Sequence, residues 1–173
     1  DWLSGLSTIA TNGNAALQLG GAIHHYVAAL SMGKTVFVNT DGELMFVPYE
    51  GALLLRTEMG DLRVSPGDLA VIPRGVKFSV DLAASTARGY VCENYGEAFR
   101  LPETGLMGIN TNASARDFEF PVASYDKTDH STRIISKIDG KFFETEIPYS
   151  PLDVVAWHGN LAPYRYELRN FSA

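Results

Sequence analysis

Four histidines, one cysteine and a scatter of carboxylates are the groups in this sequence that could do chemistry. His24 and His25 are adjacent, and neighbouring side chains on a strand leave on opposite faces, so the two cannot chelate one ion together. Both are expected to be structural. His158 precedes Gly159; a carboxylate beside it would make it an acid-base group, and a hydrogen-bonded structural histidine is the expected role. His130 lies in the polar run Lys127-Thr128-Asp129-His130-Ser131 and is expected in a solvated loop. Ser150, Asp153 and His158 have the residue types of a hydrolytic triad, but no glycine elbow surrounds the serine. Cys92 closes the run Gly89-Tyr90-Val91-Cys92 with no acid-base partner implied nearby, so burial as a small hydrophobe is expected rather than nucleophilic use. Asp61 and Asp68 stand at turn positions, where aspartate bonds its own backbone. No catalytic residue and no metal ligand are assigned within this segment.

A chain of 173 residues with 46% apolar content can bury one sizeable core, so residues 1–173 are expected to form a single domain. Basic residues number 14 against 20 acidic ones, and the net charge of -6 gives no electrostatic case for a nucleic-acid partner. A single cysteine excludes an internal disulfide framework and suits a reducing compartment, which points to the cytoplasm. No run reaches the roughly 18 to 20 apolar residues of a membrane helix, and no membrane partner is expected. The chain starts at Asp1 and stops at Phe171-Ser172-Ala173 straight after a strand-like stretch, so it is expected to be excised from something longer.

The elements that must position these groups are short. Glycine and proline punctuate the chain, and the stretches between them alternate with period two and are rich in Val, Ile, Phe, Tyr and Leu. That is the pattern of an all-β sandwich or barrel. Strands are expected at 36–38, 43–47, 52–58, 62–64, 69–72 and 76–80, joined as an antiparallel meander, with Asn39-Thr40-Asp41-Gly42 closing the first hairpin through its Asp-Gly pair. Further strands are expected at 89–93, 134–138, 142–147 and 154–157, with Asp139-Gly140 as a second hairpin turn. Residues 97–117 read as a long irregular excursion. Asn14 to Leu30 is rich in alanine and leucine, but Gly20-Gly21 breaks a helix, and a strand is expected there.

The run from Gly60 to Phe78 resembles the second conserved motif of the cupin superfamily: a Gly-Asp turn into a strand, then Pro73, Arg74 and Gly75. Where that motif carries a metal-binding histidine this sequence has Phe78. Glu43 can stand for the glutamate of the first motif, but Val36, Phe37, Val38 and Asn39 occupy its histidine region. A transition metal needs about three ligands of imidazole or carboxylate type, and this pocket offers at most one.

Other segments resemble homogentisate 1,2-dioxygenase. They are Trp2-Leu3-Ser4-Gly5-Leu6, Asn39-Thr40-Asp41-Gly42 with Phe46-Val47-Pro48, Arg88-Gly89-Tyr90, Arg116-Asp117-Phe118, and above all Ser150 to Asn160 followed by Pro163-Tyr164 and Tyr166-Glu167-Leu168. The chain departs from the family at Gly105 to Asn112, where a Gly-Pro-Ile-Gly-x-Asn-Gly type of loop is usual. The resemblance implies an all-β, cupin-like antiparallel jelly-roll barrel with long irregular loops, one of two barrels in a longer dioxygenase. Iron(II), held by two histidines and a glutamate in the second barrel, would open the ring of a small aromatic acid in tyrosine and phenylalanine catabolism. This segment would bind no cofactor itself and would supply scaffold and subunit interface in a homo-oligomer, a trimer or a dimer of trimers. The resemblance also implies that Asn39 reaches a substrate across the subunit interface, where a carboxamide can donate to an anionic acid; its alternative role is to start the hairpin turn. A second reading of the chain is a metal-free cupin acting as an oligomeric scaffold or a small-acid binding module.

Overall fold

The computed structural model describes residues 1–105, 108–109, 112–127 and 129–172. In chain order the strands are β1 (Leu6–Asn14), β2 (Leu19–Ala28), β3 (Thr35–Asn39), β4 (Glu43–Glu50), β5 (Leu53–Thr57), β6 (Gly60–Val64), β7 (Asp68–Ile72), β8 (Lys77–Leu82), β9 (Ala87–Asn94), β10 (Thr104–Gly105), β11 (Gly108–Ile109), β12 (Phe118–Glu119), β13 (Thr132–Ile138), β14 (Lys141–Ile147) and β15 (Tyr164–Glu167). The all-β expectation holds, and so does the strand at the Gly20-Gly21 region, where β2 runs antiparallel to β1. Two short 3-10 turns, Ala115–Asp117 and Leu168–Asn170, complete the elements.

The strands form two principal sheets. One runs β1-β2-β9-β4-β7-β15-β12, the other β14-β13-β3-β8-β5-β6, and β10 pairs with β11. The sheets face each other across one apolar core and do not close into a barrel, which corrects the barrel expectation. Among the described residues β1 and β12 end the first sheet and β14 and β6 the second, and what joins the layers is side-chain packing, as in a sandwich. At the centre of that packing Trp2, 0% exposed, meets Phe37, Phe46 and Phe78 at ring-centroid distances of 6.0, 5.2 and 5.6 Å. Phe37 and Phe78 meet edge to face at 88°, the arrangement that aromatic quadrupoles favour.

The expected meander is also corrected. Strand positions between residues 35 and 82 agree closely with the turn punctuation, but consecutive strands switch sheets: β3 belongs to the second, β4 to the first, β5 and β6 to the second, β7 to the first, β8 to the second. The segment Asn39 to Gly42 is therefore a corner between layers and not a hairpin. It is built by Asn39 Oδ1 accepting the Asp41 N–H at 3.1 Å, an aspartate-type turn on asparagine. True hairpins occur at β5–β6 and at β13–β14, where Asp139 (φ 49°) and Gly140 (φ 70°) supply the two positive φ angles of a primed turn.

One pair departs from the antiparallel expectation. β13 lies parallel to β3, with Lys137 opposite Asn39. This follows from connectivity, since β13 arrives from the distant loop region and not through a tight turn. The expected strand at 154–157 is irregular; Trp157 instead donates its indole N–H to the Met59 carbonyl at 2.7 Å and fastens the segment to the β5–β6 turn. The family departure at Gly105 to Asn112 falls partly outside the described residues, as does the end of the chain at Ala173.

Candidate functional site

Alternation along β9 turns Ala87, Gly89, Val91 and Glu93 inward. The first three are core or backbone-packing positions, and the fourth places a carboxylate 1% exposed between the sheets. A buried carboxylate is stable only when its lone pairs are filled, and here they are. Oε1 accepts from Asn39 Nδ2 at 2.6 Å and from Lys137 Nζ at 2.5 Å. Oε2 meets Lys137 Nζ at 2.5 Å, His24 Nε2 at 3.0 Å and the Tyr95 hydroxyl at 3.3 Å. Burial alone would push the Glu93 carboxyl up, but the bonds from His24, Lys137 and Asn39 and the lysine charge hold it down at about 2. Burial and the Glu93 charge push the neighbouring Tyr95 hydroxyl up to about 12, so it remains a donor.

Each partner comes from a different element. His24 sits on β2 one diagonal from Glu93, since Ala22 is the residue directly opposite. Asn39 ends β3 and Lys137 lies beside it on β13. Glu93 thus belongs to one sheet and its two shortest partners to the other, so the cluster is a polar strut between the layers. Asp41 completes it, accepting backbone N–H groups of Asp139 at 2.6 Å and Gly140 at 2.8 Å and lying 3.8 Å from Lys137 Nζ. The Lys137 backbone carbonyl in turn accepts from Thr40 N–H and Oγ1.

Above the strut opens a cavity of about 400 Å³. Its floor is His24, Asn39, Glu93, Tyr95 and Lys137; its walls are apolar, with Trp2, Leu3, Leu6, Phe37, Leu44 and Phe142; Thr8 and Thr11 add hydroxyls. Thr8 Oγ1 lies 3.0 Å from His24 Nδ1, which fixes the second ring nitrogen.

The residues weighed from sequence divide. Asn39 is brought into this site, 3% exposed, with both ends of its carboxamide engaged: it starts the turn and lines the cavity at once. His24 and His25 do face opposite ways; His24 joins the cluster, while His25 bonds the Tyr49 hydroxyl at 2.8 Å on the outer face. His158 is exposed rather than held by hydrogen bonds in the interior, and Ser150 donates to Asp126 at 2.8 Å, so no triad assembles. His130 lies in a loop beside Thr132 Oγ1. Burial pushes the half-buried Cys92 thiol up, away from nucleophilic use. Asp68 closes its own turn through the Ser65 N–H at 2.8 Å and also binds Arg165 at 3.0 Å. Glu93, Lys137 and Tyr95 were not singled out by sequence reasoning; the available signal was a carboxylate in phase with buried positions on β9.

The cupin ligand positions are filled otherwise. Phe78 is 0% exposed within the aromatic core, and Glu43 accepts the Phe99 N–H at 3.0 Å. Among the described residues no three of His, Cys, Asp and Glu are disposed to hold a metal, and the cation that Glu93 and Asp41 face is the Lys137 ammonium. These residues do not fit a ferrous site.

The sequence profile described as homogentisate 1,2-dioxygenase N-terminal matches residues 1–168. The chain belongs to this family. Among curated homogentisate 1,2-dioxygenases, that of Rhodopseudomonas palustris strain BisA53 is 53% identical over 171 residues. Those of Bradyrhizobium diazoefficiens and Nitrobacter hamburgensis are 52% and 50% identical over the same length. In each case the match covers 99% of this chain and 38% of the relative. A solved glyoxylate induced protein of Pseudomonas aeruginosa overlays 94% of this chain and 75% of its own at 13% identity, with a TM-score of 0.42, a likeness that carries no argument. The matched span takes in the segment Ser150 to Asn160. Here Leu152 and Ser150 are buried, and Leu152 accepts the Asp126 N–H at 3.0 Å.

Proposed function

We propose that this chain is the N-terminal part of a homogentisate 1,2-dioxygenase, an iron(II) enzyme that opens an aromatic ring in tyrosine and phenylalanine catabolism. In that reading it is a cupin-like jelly roll opened into a sandwich, it supplies scaffold and subunit interface, and it holds no iron itself. The observation that carries the reading is the match over 99% of this chain but only 38% of the relatives' length. The ligand-poor interior supports placing the iron in the remaining length, since the buried carboxylates are neutralised by Lys137 and by backbone N–H groups and leave no open coordination. The homo-oligomer, a trimer or a dimer of trimers, and the reach of Asn39 toward a small aromatic acid in a neighbouring subunit belong to the same proposal, as does a cytoplasmic setting, which a single unpaired cysteine suits. For Asn39 to reach outward, its carboxamide would exchange the Glu93 and Asp41 partners for the substrate.

The test replaces the matched 171 residues of the Rhodopseudomonas palustris enzyme with this chain. With iron(II) and homogentisate, the hybrid consumes oxygen and the chain alone does not. Oxygen uptake by the chain alone, or a folded hybrid that takes up none, overturns the proposal. Among the described residues no helix is long and apolar enough to cross a membrane.

A further inference from the structure

We infer that the outer face of the first sheet is a docking surface, and that its occupant is the part of the same dioxygenase subunit lying outside the matched residues. The inference rests on the dioxygenase reading and adds where the rest of that subunit sits. A sandwich facing water on both sides turns apolar side chains inward and polar ones outward. On the second sheet the outer positions of β5, β6 and β8 carry Arg56, Asp61, Arg63, Lys77 and Asp81. The first sheet is different. The positions of β2, β9 and β4 that alternate with buried ones hold Ile23, Val27, Tyr90, Met45, Val47 and Tyr49. Register sets them side by side, with His25 opposite Tyr90 and Tyr90 opposite Val47. Ile23, Val27, Tyr49 and Tyr90 are left 47, 45, 49 and 44% exposed. A contiguous apolar face of this kind, unlike single scattered residues, marks an interaction site.

Two details show that the face is made to be covered. Toward Glu43 the chain covers it with its own segments: Glu43 accepts the Phe99 N–H at 3.0 Å, and Val71, opposite Met45, is flanked by Phe99 and Leu161 and only 4% exposed. At the uncovered end the rings are already fixed in place. His25 Nε2 lies 2.8 Å from the Tyr49 hydroxyl, and the Tyr90 ring centroid is 5.4 Å from that of His25 and 5.7 Å from that of Tyr49. Fixed tyrosines lose little entropy on docking and are common interface anchors. At the rim Arg88 and Glu50 pair with each other at 3.5 Å, so the surface calls for an apolar occupant and not a charged one. Length decides which. The matched residues make up 38% of each relative, so more than half of the subunit lies outside them. Covalent tethering presents that part to the face at an effective concentration in the millimolar range, whereas a second copy must arrive from solution.

Photo-cross-linking tests the inference in the hybrid of this chain with the remaining length of the Rhodopseudomonas palustris enzyme. With p-benzoylphenylalanine in place of Tyr90, irradiation is expected to join position 90 to a peptide of the remaining length within one polypeptide, so the product keeps the mass of a single subunit. The same probe in place of Arg63, on the outer face of the other sheet, should give at least about tenfold less of that product. A product of twice the subunit mass from position 90 assigns the face to a second copy and overturns the inference; so does no product there, or an equal yield from position 63. Val27→Thr with Tyr90→Thr keeps strand-forming residue types and should lower the thermal midpoint of the hybrid while leaving that of the chain alone in place. An equal shift in both proteins, or none in the hybrid, overturns the inference as well. Oxygen uptake is read on the same hybrid: an active hybrid without the position-90 product sinks this inference alone, whereas a folded hybrid without uptake sinks the dioxygenase reading and this inference with it.

Discussion

Lys137 is the residue on which the interior depends. Its ammonium touches both oxygens of Glu93, and removing it leaves a 1%-exposed carboxylate without its lysine charge. Lys137→Met is expected to cost about 3 to 5 kcal/mol, read from urea denaturation. Glu93→Gln together with Lys137→Met should cost clearly less than the sum of the two single changes, because the second removes the charge that the first strands. The same pair governs acid behaviour. Glu93 falls from the usual value near 4.5 to about 2 on folding, so its contribution is fully present above the unfolded value and is lost as pH falls through the window between them. That contribution is on the order of 3 kcal/mol. Stability measured against pH should therefore drop steeply below about 4.5 in the parent chain and less steeply in Glu93→Gln.

At the level of elements, strand positions were legible because turn chemistry is local. Asp139-Gly140 announces a primed hairpin by residue type, and the structure gives both residues positive φ. What was not legible is which sheet each strand joins. Asn39-Thr40-Asp41-Gly42 has the composition of a hairpin turn, yet it turns a corner, since its Asp41 carboxylate is captured by backbone N–H groups of Asp139 and Gly140, nearly a hundred residues on. No local pattern records a partner at that separation. Asp41→Ala is expected to leave those two N–H groups without an acceptor and to cost about 1 to 3 kcal/mol in thermal or urea unfolding. Gly60, at φ +123°, lies where an added Cβ would come within 2.1 Å of the Val122 carbonyl. Gly60→Ala should accordingly destabilise by well over about 1 kcal/mol, through the packing of residues 121 and 122 against the β5–β6 turn.

For the molecule as a whole, the site was half visible in advance. Asn39 was marked, and so was the absence of a histidine at the Phe78 position, but Glu93, Lys137 and Tyr95 lie 54 residues or more from Asn39 in sequence, and only the pairing of two sheets gathers them. The outer strands carry the other whole-molecule consequence. β1 and β14 end their sheets, and they leave Ile9 59% and Phe143 51% exposed. Unpaired, apolar edges invite association with a further strand. Ile9→Lys with Phe143→Lys should change stability by less than about 0.5 kcal/mol while shifting sedimentation of the chain toward the monomer.

The 44-residue separation of Glu93 from Lys137 also has a meaning in time. During synthesis β2, β3, β4 and β9 are translated before β13, and at about 5 to 20 residues per second the lysine follows the glutamate by roughly 2 to 9 seconds. For that interval the nascent sheets cannot close over β9 without burying an unpaired anion. The last part of the strut to be translated is the one that neutralises Glu93, so closure of the sandwich is expected to follow synthesis through β13.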